Sequence, residues 1–177
     1  AIMANVEHKV SLISGVHDLL PNRVGGAAMQ KNLETLGDIR YTQEEIDFAL
    51  ELQRNNGKPE LGIDGKIRPL RETLSSPGGG STDSGDVSYN VPVVSLAATT
   101  APKGVPWHSW SVVASSGMSI GHKGMLHAAK ALGMTMVDIF KDSKLREDIK
   151  KEFDEKIGEY DYDPYLDPGP PPIDYVD

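Results

Sequence analysis

Residues 104–112 read G-V-P-W-H-S-W-S-V and set both tryptophans of the chain, Trp107 and Trp110, on either side of one histidine, His108. A neutral imidazole is a common metal ligand, and neighbouring groups that fix its ring raise its value as one. The same spacing also suits a packed structural loop. A second pattern, G-M-S-I-G at residues 117–121, matches the G-x-S-x-G nucleophile elbow with Ser119 as the attacking group. Chain order argues against it. In that arrangement an acid and then a histidine follow the serine, whereas the last histidine is His127 and no Asp or Glu lies between it and Ser119. A helix start rich in small residues accounts for the match.

The run continues as G-H-K-G, which has only the outline of a phosphate loop because Lys123 is followed by Gly124 instead of Ser or Thr. His122 and His127 are five apart, a rotation of about 140° on a helix, so they do not share one metal as an i, i+4 pair would. The adjacent acids Glu44 and Glu45 point in different directions on a helix, and T-Q-E-E makes Glu45 a capping residue instead of half of a catalytic pair. His8 and His17 read as edge and turn histidines without a partner in sequence. What remains is a glycine-rich segment, P-G-G-G-S-T-D-S-G-D, whose Gly80, Ser81 and Thr82 could approach a substrate carboxylate closely and offer amide and hydroxyl donors.

These two constellations need a scaffold, and the pattern predicts one. Residues 91–99, V-P-V-V-S-L-A-A-T, form an apolar run suited to a strand buried on both faces, and residues 8–14 read as a second, shorter strand. Helices are expected at about 24–36, 42–54, 117–140 and 142–157. The third carries Met118, Met125, Ala129, Leu132, Met136 and Phe140 as its packing face, and the fourth is capped by Asp142, with Glu147–Lys151 and Glu152–Lys156 pairs toward solvent. Residues 55–88 lack periodicity, as functional loops do. The resulting class is α/β, a sheet flanked by helices, and ligands of such sheets bind beyond the carboxyl ends of strands, where His108 would sit.

Composition narrows the chemistry. A formal net charge of −8 over 177 residues, without a basic patch, disfavours nucleic acid and anionic membrane partners. No apolar run reaches the roughly 18 residues that span a bilayer, and no signal sequence is visible, so a soluble, cytoplasmic chain is expected. The absence of cysteine excludes disulfides, thiolate zinc sites and cysteine nucleophiles. The first residue is Ala1, as in a processed or partial chain. The acidic, proline-rich end, residues 159–177, reads as extended or disordered.

Three blocks, S-G-V-H-D-L-L-P-N-R, G-G-S-T-D-S-G-D-V-S and P-W-H-S-W-S-V-V-A-S-S-G-M-S-I-G-H-K-G-M, resemble the C-terminal part of the aminobenzoyl-glutamate utilisation protein B type of amidohydrolase. This type stands within the aminoacylase and carboxypeptidase G group of zinc peptidases. The resemblance covers about residues 9–140. It implies residues 1–20 as the end of an inserted α+β lid domain through which dimers form, residues 21–158 as the second half of the catalytic domain, and 159–177 as a tail. It further implies hydrolysis of an amide in an N-acyl amino acid or aminobenzoyl-glutamate-like substrate by water held between two divalent ions, zinc or manganese. His108 matches the last metal-binding histidine, Gly80, Ser81 and Thr82 the substrate-holding segment, and Asn22 the hinge asparagine. The family's His-x-Asp and its loop Glu-Glu pair are missing, so the chain is expected to be inactive alone and completed by an N-terminal half or a second chain. The alternative is a non-catalytic binding or assembly subunit that kept the fold without the centre.

Overall fold

The computed structural model describes residues 2–10, 12–71, 80–166 and 168–170. After a single 3-10 turn at Ile2–Ala4 come six helices among the described residues: α1 (Arg23–Leu36), α2 (Gln43–Asn55), α3 (Ser84–Ser88), α4 (Trp110–Ser116), α5 (Ser119–Lys141) and α6 (Ser143–Ile157). The four predicted helices are present, and side-chain caps at Asn22, Thr42 and Asp142 explain the starts of α1, α2 and α6, while α5 begins at Ser119 without one. Asn22 caps α1 by accepting from the Gly25 amide, while the Glu152 carboxylate of α6 accepts from the Arg23 and Val24 amides at 2.8 and 2.7 Å. That carboxylate therefore serves a helix N-terminus as well as its predicted partner Lys156, at 2.7 Å.

Thr42 and Glu45 form the predicted capping box of α2. Glu45 is also buried and lies 2.5 Å from Lys123 of α5, whose ammonium donates in addition to the Arg40 carbonyl. The lysine of the phosphate-loop-like run is thus taken by a structural pair. Burial alone would raise the Glu45 carboxyl, but hydrogen bonds from Lys123, Ser119 and the Thr42 amide outweigh it and hold the pKa at about 2. A depressed carboxylate stabilises the fold above its ordinary range, and that contribution disappears as pH falls toward about 2. Glu45→Gln is expected to cost about 1–2 kcal/mol at neutral pH, discounted because Lys123 is partly exposed. Acid melts of variant and parent should converge near pH 2, and parallel melts across that range would count against the pairing.

The predicted sheet is absent among the described residues. Residues 8–10 and 12–14 form no strand, and Val10 and Leu12 are exposed. Residues 91–99 form no strand, and their sheet pairing is a single parallel bridge between Pro21 and Val93. A doubly buried strand needs cover on both faces, whereas Val91, Ser95 and Ala97 are exposed. The helices instead pack on one another: α1 against α5 and α6, α4 against α5, and α5 against α6.

The core consists of Met29 and Leu33 of α1 with Ala131 of α5, and Leu36, Ile67, Val94 and Leu96 close around it. Small residues make the contacts close. A side chain at Gly25 would strike Val94, and one at Gly124 would strike the Thr99 carbonyl. The face of α5 predicted to pack lies open, with Met125, Leu132, Met136 and Phe140 all exposed. The buried face carries Ile120, Gly121, Gly124, Ala131 and Thr135 instead. Two extended segments complete the unit: Lys103 donates to the Gly62 carbonyl at 3.0 Å, and buried Gln53 binds both Gly62 and the Lys103 carbonyl.

Candidate functional site

Between residues 64–71 and 93–105, above α1, lies a cleft of about 710 Å³. Its floor includes Asn22, Met29, Leu33 and His127, and Trp107 stands at its edge. Directly beyond, His108 adopts a left-handed backbone at φ 59°, a conformation uncommon outside glycine although histidine enters it more often than most residues. The turn is held by the Ser109 hydroxyl, which donates to the Pro106 carbonyl at 2.5 Å and pairs with Ser111 at 2.7 Å. Ser111 and Ser115 are fully buried beneath α4. The strained residue is therefore fixed by the helix that follows it, and its side chain is exposed. Strain retained at an exposed histidine is characteristic of functional positions.

Of the two tryptophans that flank His108, Trp107 lines the cleft and Trp110 does not. Trp107 and Trp110 are 69% and 56% exposed. No hydrogen bond joins His108 to another described side chain. Among the described residues, no group of three His, Asp or Glu side chains converges as a metal site would require.

The other predicted residues sit apart from His108. Asn22 reaches the cleft wall, but its amide is engaged at both ends, accepting from Gly25 and donating to the Ile149 carbonyl at 2.9 Å. It holds α1 to α6. Gly80, Ser81 and Thr82 are exposed and lead into α3, where the Thr82 hydroxyl accepts from the Ser84 amide at 3.3 Å. The preceding Pro77, Gly78 and Gly79 of the glycine-rich segment lie outside the described residues. Neither His108 nor residues 80–82 line the cleft. Ser119 opens α5 at the surface, as the small-residue helix start predicted.

Two histidines take positions that local sequence did not indicate. His127 lines the cleft, and its Nε2 is enclosed with no hydrogen-bond partner among the described residues. His17, a turn or surface histidine by its spacing, is buried at 8% exposure. Its Nδ1 lies 2.8 Å from Asp86 and its Nε2 2.9 Å from the Tyr160 hydroxyl, and Tyr165 stacks on the ring at 4.3 Å. Tyr160 and Tyr165 belong to the acidic tail, so residues 160–165 fold back over His17. Since Asp86 is on α3, this knot also fixes the helix that residues 80–82 lead into. Long-range partners of this kind leave no mark in local spacing.

The chain is 34% identical over 157 residues to a p-aminobenzoyl-glutamate hydrolase subunit of Escherichia coli (strain K12), a match covering 75% of this chain and 33% of that protein. That match relates the chain to this hydrolase subunit, in keeping with the resemblance to the aminobenzoyl-glutamate utilisation protein B type, and the chain spans about a third of the length of the curated relative it matches. No family model matches it, and no solved structure does. Among the described residues no helix is long and apolar enough to cross a membrane.

Proposed function

We propose that the chain is one portion of a metal-dependent amidohydrolase that cleaves the amide of an N-acyl amino acid or an aminobenzoyl-glutamate-like substrate. The observation that carries this reading is His108, presented on a left-handed backbone beside the cleft, in a chain related to a hydrolase subunit. In this reading His108 binds one of two divalent ions, zinc or manganese. Gly80, Ser81 and Thr82 receive the substrate carboxylate, and Asn22 secures the α1 end of the cleft. A single imidazole does not hold a dimetal centre. The described residues therefore do not fit the ion pair by themselves, and its other ligands come from polypeptide beyond them, in an assembly that dimerises through the lid.

The test is His108→Ala in the full-length gene product. Hydrolysis of p-aminobenzoyl-glutamate is expected to fall about a thousandfold or more, as when a metal-activated nucleophile is lost. Metal content by elemental analysis should fall with it. Unchanged metal content and rate would remove His108 from the site. A second reading, an assembly subunit without a centre, is favoured by the exposed apolar stripe of Met125, Leu132, Met136 and Phe140 on α5. It predicts that His108→Ala is silent while Met136→Asp abolishes association in size-exclusion chromatography.

A further inference from the structure

Among the described residues, the hydrogen bonds of residues 80–82 lead only to α3 and the residue before it. The Thr82 carbonyl accepts from the Gly85 amide at 3.2 Å, and the Thr82 hydroxyl bonds to Asp83 and Ser84. The helix α3 has little apolar packing to fix it in turn. It contributes nothing to the core cluster, and Val87, its one aliphatic side chain, is exposed. Five residues are too few for a helix to stand on its own hydrogen bonds. The position of α3 comes instead from polar contacts to residues 17–20. The buried Ser88 hydroxyl accepts from the Leu20 amide at 2.8 Å, and Tyr89, directly after the helix, donates to Asp18 at 2.8 Å. Asp86 Oδ1 accepts twice from His17, from its main-chain amide at 3.2 Å and from Nδ1 at 2.8 Å. A side chain at Gly85 would strike the His17 carbonyl, so the helix lies directly on this backbone.

Of these anchors, the bond from the His17 ring to the Asp86 carboxylate has a charged acceptor and a buried donor, the combination that makes a hydrogen bond strong. The ring is braced from behind, with the Tyr160 hydroxyl at Nε2 and Tyr165 stacked on its face, so it is not free to turn from Asp86. We propose that His17 is a positioning residue for the substrate site: through Asp86 it fixes α3, and through α3 it holds Gly80, Ser81 and Thr82 where they receive the substrate carboxylate. His17 itself is buried and touches no substrate; its role rests on the proposed function, in which residues 80–82 bind that carboxylate. A segment fixed before substrate arrives gives up little conformational entropy on binding, whereas one released from its anchor gives up more. The difference falls on affinity. Contacts made equally in the bound substrate and the transition state raise KM when lost and leave kcat in place.

The test measures KM and kcat for p-aminobenzoyl-glutamate on the full-length gene product in its assembled, metal-loaded form. Two substitutions divide the imidazole. The amide of His17→Asn donates from near the Nδ1 position and keeps the Asp86 bond, while that of His17→Gln sits near Nε2 and loses it. Both lose the stack on Tyr165, so both should melt at similarly lowered temperatures. Only His17→Gln should raise KM, by about tenfold with kcat unchanged, and His17→Asn should keep the parental KM. Asp86→Ala and Tyr160→Phe repeat the comparison with the ring in place, and they decide the matter if the His17 variants do not fold. The first should raise KM about tenfold and the second should leave it unchanged. Equal KM values within each pair, or a loss confined to kcat, would overturn the positioning role. So would a KM that tracks melting temperature instead of the Asp86 bond, since His17 would then be structural only. Failure of the function itself looks different: a parent protein that leaves p-aminobenzoyl-glutamate intact would overturn the amidohydrolase reading and this role with it.

Discussion

Gly124→Ala is expected to destabilise the chain by about 3 kcal/mol, the upper range of overpacking costs. At Gly124 an added Cβ would lie 2.2 Å from the Thr99 carbonyl oxygen and 2.8 Å from the Thr100 methyl. The first of these is backbone and has no rotamer with which to retreat. The segment must therefore move off α5, and it is the segment that leads through buried Val105 to Trp107 and His108. For a chain of this size the loss corresponds to roughly 6–12 °C in melting temperature. Gly133→Ala on the same helix supplies the control, because nothing lies within 4 Å of its added Cβ. There the change should stabilise by about 0.5–1 kcal/mol through helix propensity alone. A thermal melt in which both variants move the same way would show that Thr99 does not rest on Gly124.

The contrast between those glycines marks what local sequence can and cannot say. Helix positions are legible because their signals are local: Thr42 with Glu45, Asp142 before α6, and apolar spacing. Residues 110–116 are not legible as α4, since W-S-V-V-A-S-S carries neither a charged cap nor a full turn of periodic apolar residues. The stripe from Met125 to Phe140 is helical, as its spacing predicts, but it is not the face that packs here. Periodicity shows that a face is apolar, while the cover over it is a tertiary fact. The packing face of α5 consists largely of glycine, alanine and threonine, which gain their value from how closely α1 and Thr99 approach. Residues 91–99 illustrate the same limit. Their composition suits a buried strand, but among the described residues their only sheet pairing is the bridge at Val93. Asn22 is a substrate contact by resemblance, whereas its geometry shows a cap with both amide ends engaged. His108 and its flanking tryptophans stand out in the chain on their own, but the left-handed backbone beneath them is visible only in the fold.

His17 is the position where long-range partners matter most, and His17→Ala is expected to cost about 3 kcal/mol, as for truncation of a buried ring. The ring links residues 69 and 143 positions away, Asp86 and Tyr160. A hydrogen bond to the carboxylate places the proton on Nδ1, which leaves Nε2 to accept from the Tyr160 hydroxyl. Tyr165 stacks within 12° of parallel, and Tyr89 and Tyr162 tilt against the same ring at 5.1 and 5.2 Å. Removal of the imidazole therefore empties the centre of an aromatic cluster and leaves the Tyr162 hydroxyl, 3.2 Å from Asp86, as the remaining hydrogen bond between the tail and α3. Chymotrypsin should then cleave at Tyr160, Tyr162 and Tyr165 far faster than in the parent. His17→Phe separates the two contributions: it retains most of the packing, and its cost should be limited to about 1–2 kcal/mol from the lost hydrogen bonds. Acid should mimic part of the effect. The His17 hydrogen bond, opposed by some burial and helped by Tyr162, holds the Asp86 carboxyl below the usual carboxylate range. The anchor is accordingly complete above the ordinary carboxylate pKa and is lost as pH falls through the depressed one. Tail cleavage that is insensitive to both His17→Ala and acid would mean that the tyrosines are held by something other than this histidine. Accelerated cleavage without loss of order at residues 80–82 would separate the tail from the glycine-rich loop, which the shared contact with α3 otherwise ties together.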